Sequence, residues 1–136
     1  MKPLVLFICL GNSCRSIMAE ALARRCFGDA IAAASAGLNP LGFIASETLV
    51  VLAEAGVDTT GLRSKGLEEF TLEHCRLLVN LSDYSLDSRI PPPLRDRVLH
   101  RPVLDPYGCG LQVYRQARQA IQRLIIGELA GLLLPS

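Results

Sequence analysis

The sequence predicts a single α/β domain over residues 1–136, built as an open parallel sheet covered by helices. Three observations predict it. Short apolar, β-branched runs alternate with stretches of helical periodicity in the order β-α-β-α-β-β-α. The length, 136 residues, suits one compact domain, and 50% of the residues are apolar against 20% charged, an ordinary globular balance. No repeat, biased tract or linker divides the chain.

Residues 4–8 form a continuous apolar run closed by Gly11 and Asn12, the pattern of a strand buried on both faces. Residues 16–27 read as helix, rich in Ala, Leu, Met, Glu and Arg, with Met18, Ala21, Leu22 and Cys26 at helical spacing. A second strand is expected over 31–36, closed by Gly37 and Pro40. Helical spacing returns at Ile44, Thr48, Val51, Leu52 and Ala55, with Gly56 as C-cap. A short helix is expected over 67–74 and a third strand over 76–81. Pro91, Pro92 and Pro93 exclude a central strand or a helix interior from 82–97. A short fourth strand follows over 98–103. Residues 111–134 close the chain as an amphipathic helix, with Val113, Ala117, Ala120, Ile121 and Leu124 on its apolar side.

Composition excludes several classes of function. A net charge of +1 gives no bulk electrostatic reason to bind nucleic acid or an anionic membrane, so neither is expected as a partner. Any anion site has to be built locally. The apolar start is short and leads into Gly-Asn-Ser rather than a small-residue cleavage site, so it reads as a first strand and not as a signal sequence. Five cysteines, an odd number without a Cys-x-x-Cys pair, fit a reducing compartment, and a cytoplasmic location is expected. His74 and His100 stand in no ligand-spaced cluster and read as ordinary structural residues. No metal and no cofactor are expected.

In open parallel sheets, ligands bind beyond the carboxyl ends of the strands. The loop after the first strand reads Cys9-Leu10-Gly11-Asn12-Ser13-Cys14-Arg15-Ser16 and runs directly into a helix. A tight strand-to-helix turn points successive amides at an anion, and the helix N-terminus adds partial positive charge. Gly11 and Asn12 accept the left-handed angles of such a turn. A sulfur anion at Cys9 is stabilised in that field, and the Ser16 hydroxyl is placed to donate to it. Arg15 is placed to fork onto two oxygens of a phosphate, which a lysine cannot do. Cys-x5-Arg alone is a weak signal, but between an apolar strand and a helix, with Gly, Asn and Ser in the turn, it is specific. A nucleotide-type phosphate loop is excluded because no Gly-Lys-Ser/Thr follows.

This octet, continued by Ile17-Met18-Ala19-Glu20-Ala21, resembles the low-molecular-weight protein tyrosine phosphatase family and the related thioredoxin-coupled arsenate reductases. The resemblance extends to Ser35-Ala36-Gly37 and Asp105-Pro106-Tyr107-Gly108, in matching order along nearly the whole chain. It implies a four-stranded parallel sheet with helices on both faces, no metal, and a cysteinyl-phosphate intermediate hydrolysed by water. It further implies Cys9 as nucleophile, Arg15 as clamp and Asp105 as general acid. Leu10, Gly11, Asn12, Ser13, Cys14 and Ser16 would hold the phosphate, and Tyr107 would wall the substrate slot. Asn12, Ser16 and Ser35 would support the loop. The expected partner is a phosphorylated protein or small phosphomonoester, with phosphate or another oxyanion in the site.

Departures from the pattern bear on the substrate. The arsenate reductases carry two relay cysteines after the third strand, whereas Ser82 stands at the first such position here and no cysteine appears up to Pro91. Ser13, Ile17 and the Pro-rich stretch before Val98 resemble the reductases, and a small polar Ser13 is also similar to phosphoarginine phosphatases. No histidine lies near Arg63-Ser64-Lys65, where many relatives place one in the loop support. Cys14 has two readings: a reversible partner that shields Cys9 from over-oxidation, or a small buried thiol. The expected activity is hydrolysis of phosphotyrosine-type monoesters. The alternatives are arsenate reduction with a small thiol or a relay through Cys14, Cys75 or Cys109, a phosphoarginine phosphatase, and a phosphate-binding pseudoenzyme.

Overall fold

The computed structural model describes residues 2–135. Strand β1 (Leu4–Cys9) lies at the centre of a four-stranded parallel sheet, in the order β2-β1-β3-β4. It pairs with β2 (Ala32–Gly37) on one side and β3 (Cys75–Asn80) on the other, and β4 (Val98–His100) adds to β3. Its central position explains its unbroken apolar sequence. Val5 and Phe7 enter the core on one face, Leu6 and Ile8 the core on the other.

The first face is covered by α-helix. Met18 and Leu22 of α1 (Arg15–Phe27), Val51 and Leu52 of α2 (Ser46–Glu54), and Tyr114 and Ile121 of α3 (Leu111–Leu124) share one apolar cluster with Phe7 and Val79. The second face is covered by tighter helical turns. Leu67, Leu86, Ile90 and Leu94 pack there on Leu6, Ile8 and Leu78.

Local geometry departs from the sequence pattern at three places, each for a physical reason. The short helix expected over 67–74 is two 3₁₀ turns, Leu67–Glu69 and Leu72–His74, because Phe70 and Thr71 between them are extended. The fourth strand is shorter than expected. Its partner strand β3 ends at Asn80, the residue paired with His100, so the regular ladder stops there, although Arg101 and Val103 still donate to Asn80 and Leu81. The closing helix contains a π-helical turn, Ile125–Leu129, before α4 (Ala130–Leu133). Buried Ile121, Ile125, Leu129 and Leu133 recur at every fourth residue. At 3.6 residues per turn that row drifts by about 40° each step, and the wider π turn brings it back onto the core. The Pro91–93 run behaves as expected, entering a 3₁₀ turn (Pro92–Arg97) only at its first positions.

Phe7 is fully buried at the centre of the larger cluster. Phe7→Ala is expected to cost about 3–5 kcal/mol of unfolding free energy, read by urea denaturation.

Candidate active site

The turn between β1 and α1 is held from outside. The carbonyls of Cys9, Leu10 and Gly11 accept the amides of Leu38, Asn39 and Leu41 at 2.9, 2.8 and 2.9 Å. The Ser13 carbonyl accepts both the Ala45 amide (3.2 Å) and the Thr48 hydroxyl (2.8 Å). Among the described residues, the amides of Leu10 through Cys14 have no protein acceptor, and no side chain caps α1. Carbonyls committed outward and amides left over inward make a cradle for an anion, at a helix N-terminus that adds to the field.

Two positions make this turn possible. Asn12 has φ 47°, the left-handed region that asparagine tolerates better than most residues. Gly37, at the end of β2, lets the loop lie close: a Cβ there would stand 2.9 Å from the Leu10 carbonyl oxygen and 3.0 Å from Asn12 Cβ. The sequence signal at Gly37 was that of a strand terminator. Its tighter role is visible only in three dimensions.

Cys9 lies at the base of a pocket of about 150 Å³, which Leu10, Gly11, Ser13, Cys14, Arg15, Asp105 and Tyr107 also line. Its Sγ is 2.9 Å from Ser16 Oγ. Arg15 is 4% exposed and anchored at one end, where Nη1 donates to the carbonyls of Leu81 (3.2 Å) and Val103 (3.1 Å). Its Nη2 stands 3.6 Å from Asp105 Oδ2, and among the described residues its buried Nε has no partner. The Nε–Nη2 edge, the one that forks onto two oxygens, is thus the end kept free of main-chain partners. Asp105 is half-exposed at the mouth, its Oδ1 accepting the Tyr107 amide at 3.1 Å. Half-exposed Tyr107, with Leu41, forms the apolar wall.

Asn12 and Ser16 lie behind the lining, which leaves their main-chain amides for an anion and commits their side chains to support. The Asn12 side-chain amide donates to Ser16 Oγ (2.7 Å) and to Ser35 Oγ (3.0 Å), which joins the three residues that the resemblance named as loop support. Two partners were not foreseen. Ser35 donates to Glu20 Oε1 at 2.5 Å, and the Lys65 ammonium, on the side where relatives carry a histidine, reaches both Glu20 and Ser35. Glu20 carried a legible signal: it is the one charge in the apolar run 17–23.

The remaining cysteines are distributed as follows. Cys14 is buried, its thiol 3.4 Å from the Tyr114 hydroxyl, and burial above all raises its pKa above the ordinary value. It therefore sits beside the nucleophile position as a neutral thiol. Cys75 is buried in the core on the opposite face of the sheet, while Cys26 and Cys109 are exposed. Ser82 is fully buried: its hydroxyl donates to Asn80 Oδ1 at 2.7 Å and accepts the Tyr84 amide at 3.2 Å. Among the described residues, no group of three or more His, Cys, Asp or Glu could hold a metal ion, and no helix is long and apolar enough to cross a membrane.

A sequence model of the low molecular weight phosphotyrosine protein phosphatases matches residues 4–132. Arsenate reductase 1 of Bacillus cereus is 30% identical over 120 residues, which cover 88% of this chain and 89% of that protein. Among solved structures, a low molecular weight protein tyrosine phosphatase from T. tengcongensis superposes with a TM-score of 0.84 at 31% identity, covering 96% of this chain and 99% of that one. An arsenate reductase in the phosphate binding state superposes with a TM-score of 0.85 at 27% identity, covering 98% and 99%.

The cradle depends on the close approach at Gly37. Gly37→Ala is expected to lower stability by about 1–3 kcal/mol through overpacking. It is also expected to weaken binding of inorganic phosphate, because the displaced backbone carries the amides left free in the cradle. Denaturation and phosphate titration check the two effects separately.

Proposed function

The chain belongs to the low molecular weight phosphotyrosine protein phosphatase family, and from that premise we propose that it hydrolyses phosphotyrosine-type monoesters through Cys9, Arg15 and Asp105. The observation that carries this reading is the position of Asp105 beside the Arg15 fork at the mouth of a pocket based on Cys9. A phosphatase needs an acid at the leaving oxygen. A half-exposed carboxyl, 3.6 Å from the fork and also accepting the Tyr107 amide, supplies one at the pocket mouth.

The Cys9 thiolate attacks phosphorus as the P–O bond to the alcohol breaks. Asp105 gives its proton to that departing oxygen. The amides of residues 10–16 and the Nε–Nη2 edge of Arg15 hold the three equatorial oxygens. The Asp105 carboxylate then takes a proton from water as its oxygen attacks phosphorus, the P–S bond breaks, and phosphate and the thiolate are released. Ser16 stabilises the sulfur at both stages. A loop of this shape accepts any tetrahedral oxyanion, and the phosphate-bound relative supports phosphate as an occupant. Free cysteines throughout fit the reducing cytoplasm as its setting.

The names of the curated relatives favour a second reading, arsenate reduction. That chemistry needs a thiol to take over from Cys9. Ser82 is a buried hydroxyl tied to Asn80, Cys75 lies across the sheet, and Cys14, though beside Cys9, is held as a neutral thiol by burial, so the reductant would be a small thiol in solution or Cys109, which lies on the acid loop.

The two readings separate in one assay. Wild type is expected to hydrolyse aryl phosphates, Cys9→Ser to hydrolyse none, and Asp105→Asn to be slowed by roughly 10²–10⁴-fold in kcat. Arsenate-dependent thiol oxidation without any aryl-phosphate turnover in wild type would put the chain on the reductase branch. Arg15→Lys, which keeps the charge but loses the fork, is expected to weaken phosphate inhibition by about tenfold or more.

A further inference from the structure

We propose that Lys65 is a positioning residue for Cys9, acting through Glu20, Ser35, Asn12 and Ser16; the inference rests on the reading of Cys9 as the nucleophile. The five groups form one buried, continuous chain, and the direction of every hydrogen bond in it as far as Ser16 follows from the chemistry of its members.

At one end the Lys65 ammonium has three protons and can only donate. Its acceptors are the Arg63 carbonyl at 3.0 Å, Ser35 Oγ at 3.3 Å and Glu20 Oε1 at 3.4 Å. The Lys65 side chain is 9% exposed and that of Glu20 2%. An ammonium and a carboxylate so far from water persist there only as partners. Glu20 has a second cation, Arg24, which lies on its solvent side.

Ser35 stands between two donors, Lys65 Nζ and the Asn12 side-chain amide, so its own proton goes to Glu20, at 2.5 Å. Asn12 is fixed in orientation as well. Its Oδ1 accepts the Lys65 main-chain amide at 2.8 Å, which turns both Nδ2 protons to the serines. Ser16 Oγ accepts one of them at 2.7 Å, which leaves its hydroxyl proton for Cys9 Sγ at 2.9 Å.

Only the last link, between Ser16 and Cys9, is open to either direction. The Glu20–Lys65 pair and the Lys65 main-chain amide keep the Ser16 hydroxyl proton free of other partners, so that it is there to donate once the sulfur is a thiolate. A donated hydrogen bond favours the thiolate in attack and as the group that leaves the phosphoenzyme. Lys65 serves this twice. Its side chain neutralises the carboxylate that orients Ser35, and its main chain fixes the carboxamide of Asn12.

The test uses the full chain carrying Cys26→Ser and Cys109→Ser, so that alkylation reports on Cys9 without the exposed thiols. Iodoacetamide reaction and aryl-phosphate turnover are measured at neutral pH for Lys65→Ala, Glu20→Gln, Ser35→Ala and the Lys65→Ala/Glu20→Gln double variant. Lys65→Ala is expected to slow both reactions by about tenfold or more, the scale of one hydrogen bond to a charged group. Added ethylammonium is expected to restore it substantially. The double variant should be no slower than Lys65→Ala and should not respond to the amine, having lost the charge that would hold it.

Glu20→Gln keeps the shape of the site and tests the same chain should Lys65→Ala fail to fold; it and Ser35→Ala are expected to slow alkylation several-fold. Variants that react and turn over like wild type overturn the proposal. So does a lowered melting temperature with slowing that ethylammonium leaves untouched, since that is the mark of a purely structural lysine. A wild type inert to both iodoacetamide and aryl phosphate would instead overturn the nucleophile reading itself.

Discussion

The site depends on a division of labour within one short piece of backbone. Every residue of the turn after β1 carries a donor and an acceptor, and a folded chain leaves few of either unmet. Here the carbonyls of Cys9, Leu10, Gly11 and Ser13 are met by Leu38, Asn39, Leu41 and Ala45, on the segment that follows β2. Among the described residues, none meets the donors of Leu10 through Cys14. That asymmetry is what makes the turn an anion site, because a loop satisfied on both sides would have nothing to offer a ligand. It also explains why β2 ends in a glycine against the loop, and why the sheet order sets β2 and β3 on either side of β1. One neighbour takes the carbonyls, and the chain beyond the other, at Leu81, takes the guanidinium.

Arg15 repeats the same logic in a side chain. Two carbonyls fix Nη1, while the buried Nε is left without an acceptor among the described residues. An unsatisfied buried donor costs about 1–3 kcal/mol, and it is tolerated where something else supplies the acceptor. The unmet groups converge on one pocket, so binding a tetrahedral anion removes several such penalties together. The free site is in that sense preorganised: little has to move before the charge arrives.

What the sequence made legible follows from how local each signal was. The strand, turn and helix that carry Cys9 to Ser16 are contiguous, so a single octet disclosed them. Ser35, distant in sequence, was reached only through family resemblance, and its contact with Asn12 is present. Lys65 was passed over. The resemblance pointed to Arg63-Ser64-Lys65 as the place for a supporting histidine, and only the fold shows the lysine there buried beside Glu20. The same holds for the two 3₁₀ turns between 67 and 74, whose apolar spacing fits a short helix while Phe70 and Thr71 extend to reach the sheet. The π turn at Ile125 was in principle readable, since a strict four-residue apolar row cannot stay on one face of an ideal helix.

The cradle itself cannot choose between phosphate and arsenate chemistry. Amides and a guanidinium recognise a tetrahedral oxyanion by its charge and shape, and the two anions share both. The choice has to lie in the second half of each reaction, where one path needs a proton carrier and water and the other needs a thiol and two electrons. On this chain the carrier proposed above, Asp105, stands at the pocket mouth as a half-exposed carboxyl. Of the thiols, Cys14 lines the pocket but is kept neutral by burial beside Tyr114, Cys75 lies across the sheet, Cys109 is exposed on the loop of Asp105, and the relay position is a serine locked to Asn80. Reaction type is thus written outside the phosphate loop, in which groups surround it and which of them are free to act.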